Sequence, residues 1–345
     1  MRRIWFDGEA WSRGSGAARW QWLLLAGLLV AASGTAAVAA QCGITGPAVR
    51  FPANAQGVAI ATSATADALL FRLRPGQMSL DLDGNEHTYG VRDQGLDGIC
   101  NGLSALDPPD CAGVTPRGRC FAACQAALRA WDRTPDGARR LFCSVGLGSG
   151  CGATFSAPLQ TGDNAAFFVS ETATKYAPPP GAARTWIQTQ AAQIDPLAVP
   201  FFVLPPALRR LPFDASPGDA GVMVRTDGAR PPAFFIIGDS GNNGEIGESS
   251  ARLHQLLSRS GTLRTKTETS AFGESVARTA VDGSPEVAVA IFRHSAVRPG
   301  DAGSLIQLTR DTVVDWINRT GADRLARLGD ADALIACAPR PEGND

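Results

Sequence analysis

Two carboxylates flank one glycine-rich turn, and their side chains are the residues best suited by type to acid and base chemistry. Asp239 follows the apolar run 234–237, and Glu248 precedes the segment 249–257, whose leucines recur with helical spacing. The pattern predicts a buried strand, a tight turn and a helix. It places Asp239 where the strand ends and Glu248 where the helix begins, so the turn can hold a general base and a general acid near each other.

Two other interpretations of these carboxylates are structural. A Glu at a helix start can simply complement the helix dipole, and loop carboxylates are usually solvated. A calcium-binding EF-hand loop does not fit, because Gly241 stands where the second oxygen ligand should be and Ser250 where the bidentate Glu should be. The turn is therefore not predicted to bind calcium.

The segment 238–250 resembles the signature of the glycoside hydrolase family 75 chitosanases, in the spacing of the bacterial members. It reads Gly-Asp-x-Gly-(x)5-Gly-Glu-x-Ser and follows an aromatic and aliphatic strand. Other segments resemble the family in the same chain order, namely 79–84 with Tyr89, 165–172, 199–205, 218–222 and 290–295. The last departs from the family, since Arg293 and His294 replace Pro and Gly. The resemblance covers residues 66–325.

The resemblance implies an exported, endo-acting glycoside hydrolase that cuts chitosan, a polymer of β-1,4-linked glucosamine, with inversion. Asp239 would be the general base that activates water, and Glu248 the general acid that protonates the leaving oxygen. The family implies neither a metal nor an organic cofactor. The implied substrate-binding residues are Asp81, Asp83, Tyr89 and Asp219. For Asp81 and Asp83, a solvated strand edge is the alternative, because their spacing also fits one exposed face of a strand.

Two further functions stay open. The same pair could hydrolyse another amino-sugar polymer, such as partly deacetylated chitin or peptidoglycan. Alternatively, the chain could be a glycan-binding or structural protein of the cell envelope without catalytic activity. Under each of these hypotheses the expected partner is a polysaccharide, and no obligatory protein partner is evident.

Residues 1–40 have the pattern of a targeting segment. Arginines precede the apolar run 20–32, and small residues follow it as far as Ala40. This pattern predicts a secretory signal peptide, with Ala40 or Gln41 as the new N-terminus, and hence a secreted or periplasmic protein. An uncleaved N-terminal membrane anchor is the alternative, although the run is short for a span.

The cysteine distribution supports export. Eight cysteines follow the predicted signal: Cys42, Cys100, Cys111, Cys120, Cys124, Cys143, Cys151 and Cys337. An even number in an exported chain favours disulfides. A zinc site is disfavoured, because there is no Cys-x-x-Cys and no His within the cluster. Six of the eight lie between residues 100 and 151, which predicts a stapled insertion over 94–160 and leaves Cys42 to pair with Cys337.

Composition and motifs argue against several classes of function. The formal net charge is −1, and removal of residues 1–40 takes away four arginines and two acidic residues, which leaves −3. Such a chain has no basic surplus for nucleic acid. No Gly-x-Ser-x-Gly or Cys/His signature indicates nucleophilic catalysis. His87, His254 and His294 are scattered; a shared metal site is one reading, and His254 fits the packed face of its helix better.

Runs rich in Phe, Val and Ile predict a mostly β fold. We expect strands at 165–169, 201–204, 220–224, 233–237 and 287–292, and a hairpin of 69–73 with 78–82. Besides the helix after Glu248 and one within the insertion, a helix is expected over 309–319, ended by Gly321. Together these elements predict a compact β-barrel with a few peripheral helices. Its strand–Asp–Gly turn resembles that of double-psi β-barrels.

The predicted domain order has a catalytic domain at its centre. After the signal come a surface linker over 41–65, the catalytic domain over 66–330 and a C-terminal tail over 331–345. The stretch 259–284 is polar and shows no pattern that predicts an element.

Overall fold

A computed structural model of the protein describes residues 42–51, 57–99, 129, 159–241, 245–297 and 306–340. The predicted signal peptide, six of the eight cysteines and most of the insertion 94–160 lie outside these residues. Among the helices that are described, none has the length and apolar character needed to cross a membrane.

The described residues form a mostly β fold, as the sequence predicts. Nine strands make one sheet in the order β1-β2-β3-β11-β6-β7-β5-β8-β4 within the described ranges. These strands are β1 (Val49–Arg50), β2 (Ala59–Ser63), β3 (Ala68–Leu73), β4 (Leu80–Asp81), β5 (Phe201–Val203), β6 (Ala220–Arg225), β7 (Ala233–Asp239), β8 (Ser249–Ser250) and β11 (Val287–Phe292). Most neighbours are antiparallel, but β5 runs parallel to β7 and β4 parallel to β8.

The central strands are apolar at nearly every position because both faces of the sheet are covered. Every residue of β3, β6 and β11 is buried. One face contributes to a core that includes Phe71, Phe202 and Phe235. On the other face, Val222 and Ala290 pack with the C-terminal helices. The four central strands predicted at 201–204, 220–224, 233–237 and 287–292 are confirmed.

The described part of the chain contains the α-helices α1 (Ala251–Leu257), α2 (Val313–Leu328) and α3 (Ala331–Cys337), together with four short 3-10 helices. Helix α2 does not stop at Gly321, so that prediction is wrong. Gly321 is buried against β7, where a Cβ atom would lie 2.4 Å from Cδ1 of Phe234. The glycine is needed for close packing there, and the helix ends at Gly329, whose φ is 118°.

The predicted C-terminal tail is wrong for its described part, because α3 packs on the sheet. Arg72 of β3 donates from Nε to the carbonyl oxygen of Ala338 at 3.1 Å. The predicted disulfide between Cys42 and Cys337 is confirmed, with Cα atoms 5.8 Å apart and a sequence separation of 295. It joins the two ends of the described chain.

The predicted hairpin of 69–73 with 78–82 is also wrong, although its turn is present. The amide of Gln77 donates to the carbonyl oxygen of Arg74 at 3.1 Å. The strands then separate, since β3 pairs with β2 and β11 while β4 pairs with β8. An all-apolar strand such as β3 needs a neighbour on each side and cover on both faces, and distant segments supply them.

Three other stretches differ from expectation. The predicted linker over 41–65 contains β1 and β2, and Val58 and Ile60 are buried in the core. Residues 165–169 are not a strand, since Phe167 and Phe168 form only isolated bridges. The stretch 259–284 contains a two-stranded antiparallel sheet, β9 (Arg264–Thr269) with β10 (Ser275–Ala280). Every residue of β9 is exposed, so no burial pattern marks it in the sequence.

Candidate active site

Neighbouring strands bring the predicted acid and base to one edge of the fold. Asp239 is the last residue of β7, and Glu248 directly precedes β8. Strand β5 lies between them and fixes both backbones. The amide of Leu204 donates to the carbonyl oxygen of Asp239 at 2.8 Å, and that of Val203 donates to the carbonyl oxygen of Glu248 at 2.9 Å. Glu248 is not at a helix start, because the N-cap of α1 is Ser250.

Four carboxyl groups interact at this edge, and we call Asp81, Asp83, Asp239 and Glu248 the carboxylate cluster. Strand β4 adds Asp81 beside β8, and Asp83 follows it. Asp81 is only 6% exposed, so the solvated-edge interpretation is wrong for this residue. Burial raises the pKa of Asp81 well above its usual range, and the charges of Asp83, Asp239 and Glu248 raise it further.

Asp239 is the member of the cluster that the backbone holds most firmly. Its Oδ1 accepts hydrogen bonds from the amides of Ala173 at 2.8 Å and Ser240 at 2.7 Å. Burial, followed by the charge of Asp83, raises the pKa of Asp239 well above its usual range, although the two amide donors lower it. The two donors oppose this rise, because they favour the ionised form of the carboxyl.

Glu248 differs from Asp239 in its hydrogen bonding. No group of the described residues, which omit 242–244, donates a hydrogen bond to its carboxyl. Burial, followed by the charges of Asp83, Glu245 and Asp97, raises the pKa of Glu248 to about 7. A Cβ atom on Gly241 would lie 3.0 Å from Oε2 of Glu248, so the glycine leaves room for this side chain. A carboxyl with this pKa can hold a proton near neutral pH.

Asp83 is held by two hydroxyl donors. Its Oδ1 accepts from Tyr89 Oη at 2.6 Å and from Ser170 Oγ at 2.9 Å. Burial raises the pKa of Asp83 to about 6, although these two hydrogen bonds lower it. Tyr89 is buried and lies within the site, where its contact is with Asp83.

Asp219 does not join the cluster. It is 1% exposed, and its carboxylate accepts from the amides of Ser216 at 2.8 Å, Ser295 at 3.0 Å and Ala296 at 3.1 Å. These bonds connect the start of β6 to the chain that follows β11. The structure thus brings Asp81, Asp83, Tyr89, Asp239 and Glu248 together and gives Asp219 a structural position.

Sequence reasoning missed two residues beside the cluster, Ser170 and Lys175. Ser170 lies within a segment that resembles the family, and it was not singled out there. Lys175 Nζ is 3.6 Å from Oε2 of Glu171. Burial lowers the pKa of Lys175, while the charges of Glu171 and Asp239 raise it. Its rarity was the available signal, because the chain has only one other lysine, Lys266.

The described residues that could hold a metal ion are the three aspartates of the cluster. Each of Asp81, Asp83 and Asp239 offers a carboxylate oxygen, and these atoms lie within 4.8 Å of one another. Calcium takes six to eight oxygen ligands, more than three monodentate aspartates provide. That the protein uses no metal stays a prediction.

The histidines do not form a site together. His254 is buried, and its Nε2 lies 2.9 Å from the carbonyl oxygen of Ser79, which confirms that it is packed. His87 contacts Asn164, and His294 contacts Asp67 and Asp214. A cavity of about 390 Å³ near His254 and Arg225 contains none of the predicted site residues.

No protein-family model matches this chain, and no curated protein matches it.

Proposed function

We propose that this protein is an exported glycoside hydrolase that cleaves β-1,4-linked glucosamine polymers within the chain and with inversion. The proposal rests first on the sequence resemblance described above. The observation that carries it furthest is the contrast inside the cluster. Burial raises the pKa of both carboxyls, but Asp239 accepts two amide hydrogen bonds that favour its ionised form, whereas Glu248 accepts none from described residues and has a pKa of about 7.

This difference fits the two roles that an inverting hydrolase needs, a general base and a general acid. Asp239 removes a proton from water as the water oxygen bonds to the anomeric carbon. Glu248 gives its proton to the glycosidic oxygen as the bond to the leaving sugar breaks. One proton is taken up and one released, and exchange with solvent restores both carboxyls.

Asp81 and Asp83 would serve the same reaction by their charge. A protonated glucosamine amine carries positive charge, and partly ionised carboxyls nearby would attract it. Ionised neighbours also keep the pKa of Glu248 high, as Asp83 does. Tyr89 and Ser170 would fix Asp83 in place.

Export is part of the proposal. A disulfide such as Cys42–Cys337 persists in oxidising compartments, which supports a secreted or periplasmic location. The arginine-led apolar segment at the N-terminus supports it independently.

We also propose that the nine-stranded sheet curls into a barrel of the double-psi type. Residues near both ends of the strand order share one core, with Ile60 from β2, Phe202 from β5 and Met78 just before β4. Curling of the sheet would bring these three into one cluster. Slow amide exchange at β4, as expected for a strand without an open edge, would support closure, and fast exchange would count against it.

The test of the function is a product analysis with purified protein on chitosan, chitin and peptidoglycan oligomers. We expect new reducing ends to form on chitosan in preference to the other polymers. The products should have mixed lengths, as an endo-acting enzyme gives, and NMR should show the α-anomer as the initial product. Preference for chitin or peptidoglycan would favour the other amino-sugar hydrolase. Binding to chitosan without cleavage would favour the non-catalytic glycan-binding protein.

A further inference from the structure

Lys175 is a buried cation beside the carboxylate cluster. The residue is 8% exposed, and its Nζ donates to the carbonyl oxygen of Thr172 at 2.9 Å and to Oε1 of Gln193 at 2.7 Å. Oε2 of Glu171 lies 3.6 Å away. Lysines are seldom buried unless they are paired, so the position requires an explanation.

The chain around Lys175 contacts two members of the cluster. We call residues 170–175 the cluster loop. The amide of Ala173 donates to Oδ1 of Asp239 at 2.8 Å, and Oγ of Ser170 donates to Oδ1 of Asp83 at 2.9 Å. The amide of Thr174 donates to the carbonyl oxygen of Gly238 at 2.8 Å. The geometry of the cluster therefore depends on the path of this loop.

Gln193 gives Lys175 a fixed partner. Its side chain is fully buried, and Nε2 donates to the carbonyl oxygens of Ile187 at 3.1 Å and Thr189 at 2.9 Å. Those two bonds orient the amide, so Oε1 faces the cluster loop. There it accepts from Lys175 Nζ and from the amide of Thr172 at 3.0 Å.

We propose that Lys175 is a positioning residue for the acid–base pair, since it holds the cluster loop against Gln193 so that Ala173 donates to Asp239. The inference rests on the proposed function for its catalytic consequence. Its structural part concerns only the loop and the aspartate. The positive charge of Lys175 adds an attraction toward Asp239, which is in keeping with the effect of Asp239 on the pKa of the lysine.

The test compares Lys175→Met with Lys266→Met. Methionine keeps the unbranched apolar stem and removes the charge and the donors. Lys266 is the matched control, since it lies on the exposed strand β9 and pairs with Glu268 at 2.6 Å. Two quantities are measured in the full chain, namely hydrogen exchange of the Ala173 amide by NMR and the kinetic constants on chitosan oligomers.

We expect Lys175→Met to speed exchange of the Ala173 amide about 10-fold or more and to lower kcat by about 10- to 100-fold, because small misplacements of catalytic groups have effects of this size. KM should change little, and Lys266→Met should match the wild type. Unchanged exchange and kcat in a folded Lys175→Met protein would overturn the inference.

If Lys175→Met does not fold, Lys175→Gln is measured in its place. Glutamine removes the charge and its donor reaches less far than Nζ, so faster exchange of the Ala173 amide and a lower kcat are again expected, and unchanged values would overturn the inference. Failure of both variants to fold would overturn the inference in favour of a core role for Lys175. If the wild type cleaves nothing but Lys175→Met still frees the Ala173 amide, the proposed function fails and the positioning of Asp239 stands.

Discussion

At the scale of single residues, burial decides which carboxyls hold protons. Glu248 has a usual pKa of 4.5, raised to about 7 in the folded protein. Between these values the folded state binds more protons than the unfolded state. The protonated Glu248 therefore contributes its full stabilisation below about pH 4.5, and this stabilisation is lost as the pH rises through about 7.

Glu248→Gln should consequently stabilise the protein at high pH. The glutamine is neutral and replaces a carboxyl that accepts no hydrogen bond from described residues. We expect the free energy of unfolding at pH 8 to rise by about 1–3 kcal/mol, with almost no difference from the wild type near pH 4.5. Urea unfolding at both pH values measures this, and a variant less stable than wild type at pH 8 would contradict the burial argument.

His294 offers a second pH-dependent contact. Its Nδ1 lies 3.0 Å from Asp67 Oδ2 and its Nε2 lies 3.2 Å from Asp214 Oδ2. Only the imidazolium can donate to both carboxylates at once. These hydrogen bonds raise the pKa of His294, so the contact is present below the usual pKa of 6.5 and is lost as the pH rises through the raised value.

The joint substitution of Asp67→Asn and Asp214→Asn should lower the pKa of His294. The neighbouring charge of Arg293, which pairs with Asp67 at 2.7 Å, would then act without compensation. An NMR titration of the His294 ring, assigned with His294→Gln, measures the change. A pKa that stays as high in the double variant as in the wild type would show that the carboxylates are not its cause.

The acid and base candidates were predictable from the sequence, but the residues that hold the carboxylate cluster in place were not. Asp239 and Glu248 are marked by the glycine turn between them. Lys175 and Ser170 carry no such local mark, because their role depends on a loop that returns to the end of β7. The family resemblance implied that Asp219 binds substrate. Its hydrogen bonds from the amides of Ser295 and Ala296 could not be predicted from the sequence.

At the scale of elements, α2 depends on a glycine inside the helix. Gly321→Ala would place Cβ 2.4 Å from the ring of Phe234, and the helix or the ring must then move. We expect a loss of about 1–3 kcal/mol in the free energy of unfolding, as for other overpacked sites. Gly283→Ala is the control, since nothing lies within 4 Å of its Cβ position. Equal stability of the two variants would refute close packing at Gly321.

Sequence reasoning identified strands by unbroken apolar runs and missed those without one. The residues of β6 and β11 are all buried, and both were predicted. Strand β9 reads Arg-Thr-Lys-Thr-Glu-Thr and is fully exposed, so neither an apolar run nor an alternation of apolar with polar residues marks it. The hairpin was predicted wrongly for a different reason. The turn at Gly76 is visible in the local sequence, but the strands that pair with β3 are distant in sequence.

At the scale of the whole molecule, one disulfide joins distant ends of the chain. Cys42 and Cys337 enclose nearly all of the described residues. The pairing was predictable because the other cysteines are grouped, whereas the strand order was not, since Leu70 pairs with Ala290 across most of the sequence.

Replacing both cysteines, Cys42→Ser with Cys337→Ser, should lower the free energy of unfolding by about 2–5 kcal/mol. The long loop closed by this bond lets the unfolded chain gain much freedom when the bond is absent. Chemical denaturation of the double variant and the oxidised wild type measures the difference. Equal midpoints would mean that α3 and its neighbours hold the two ends together without the bond.

Release of reducing ends from chitosan tests whether Asp239 and Glu248 are the catalytic pair. The variants to be measured are Asp239→Asn, Glu248→Gln and Glu245→Gln, and circular dichroism checks that each is folded. Glu245 lies in the same turn, is exposed and is the matched control. We expect the first two variants to lose nearly all activity and Glu245→Gln to keep most of it. Wild-type activity in either Asp239→Asn or Glu248→Gln would contradict this expectation.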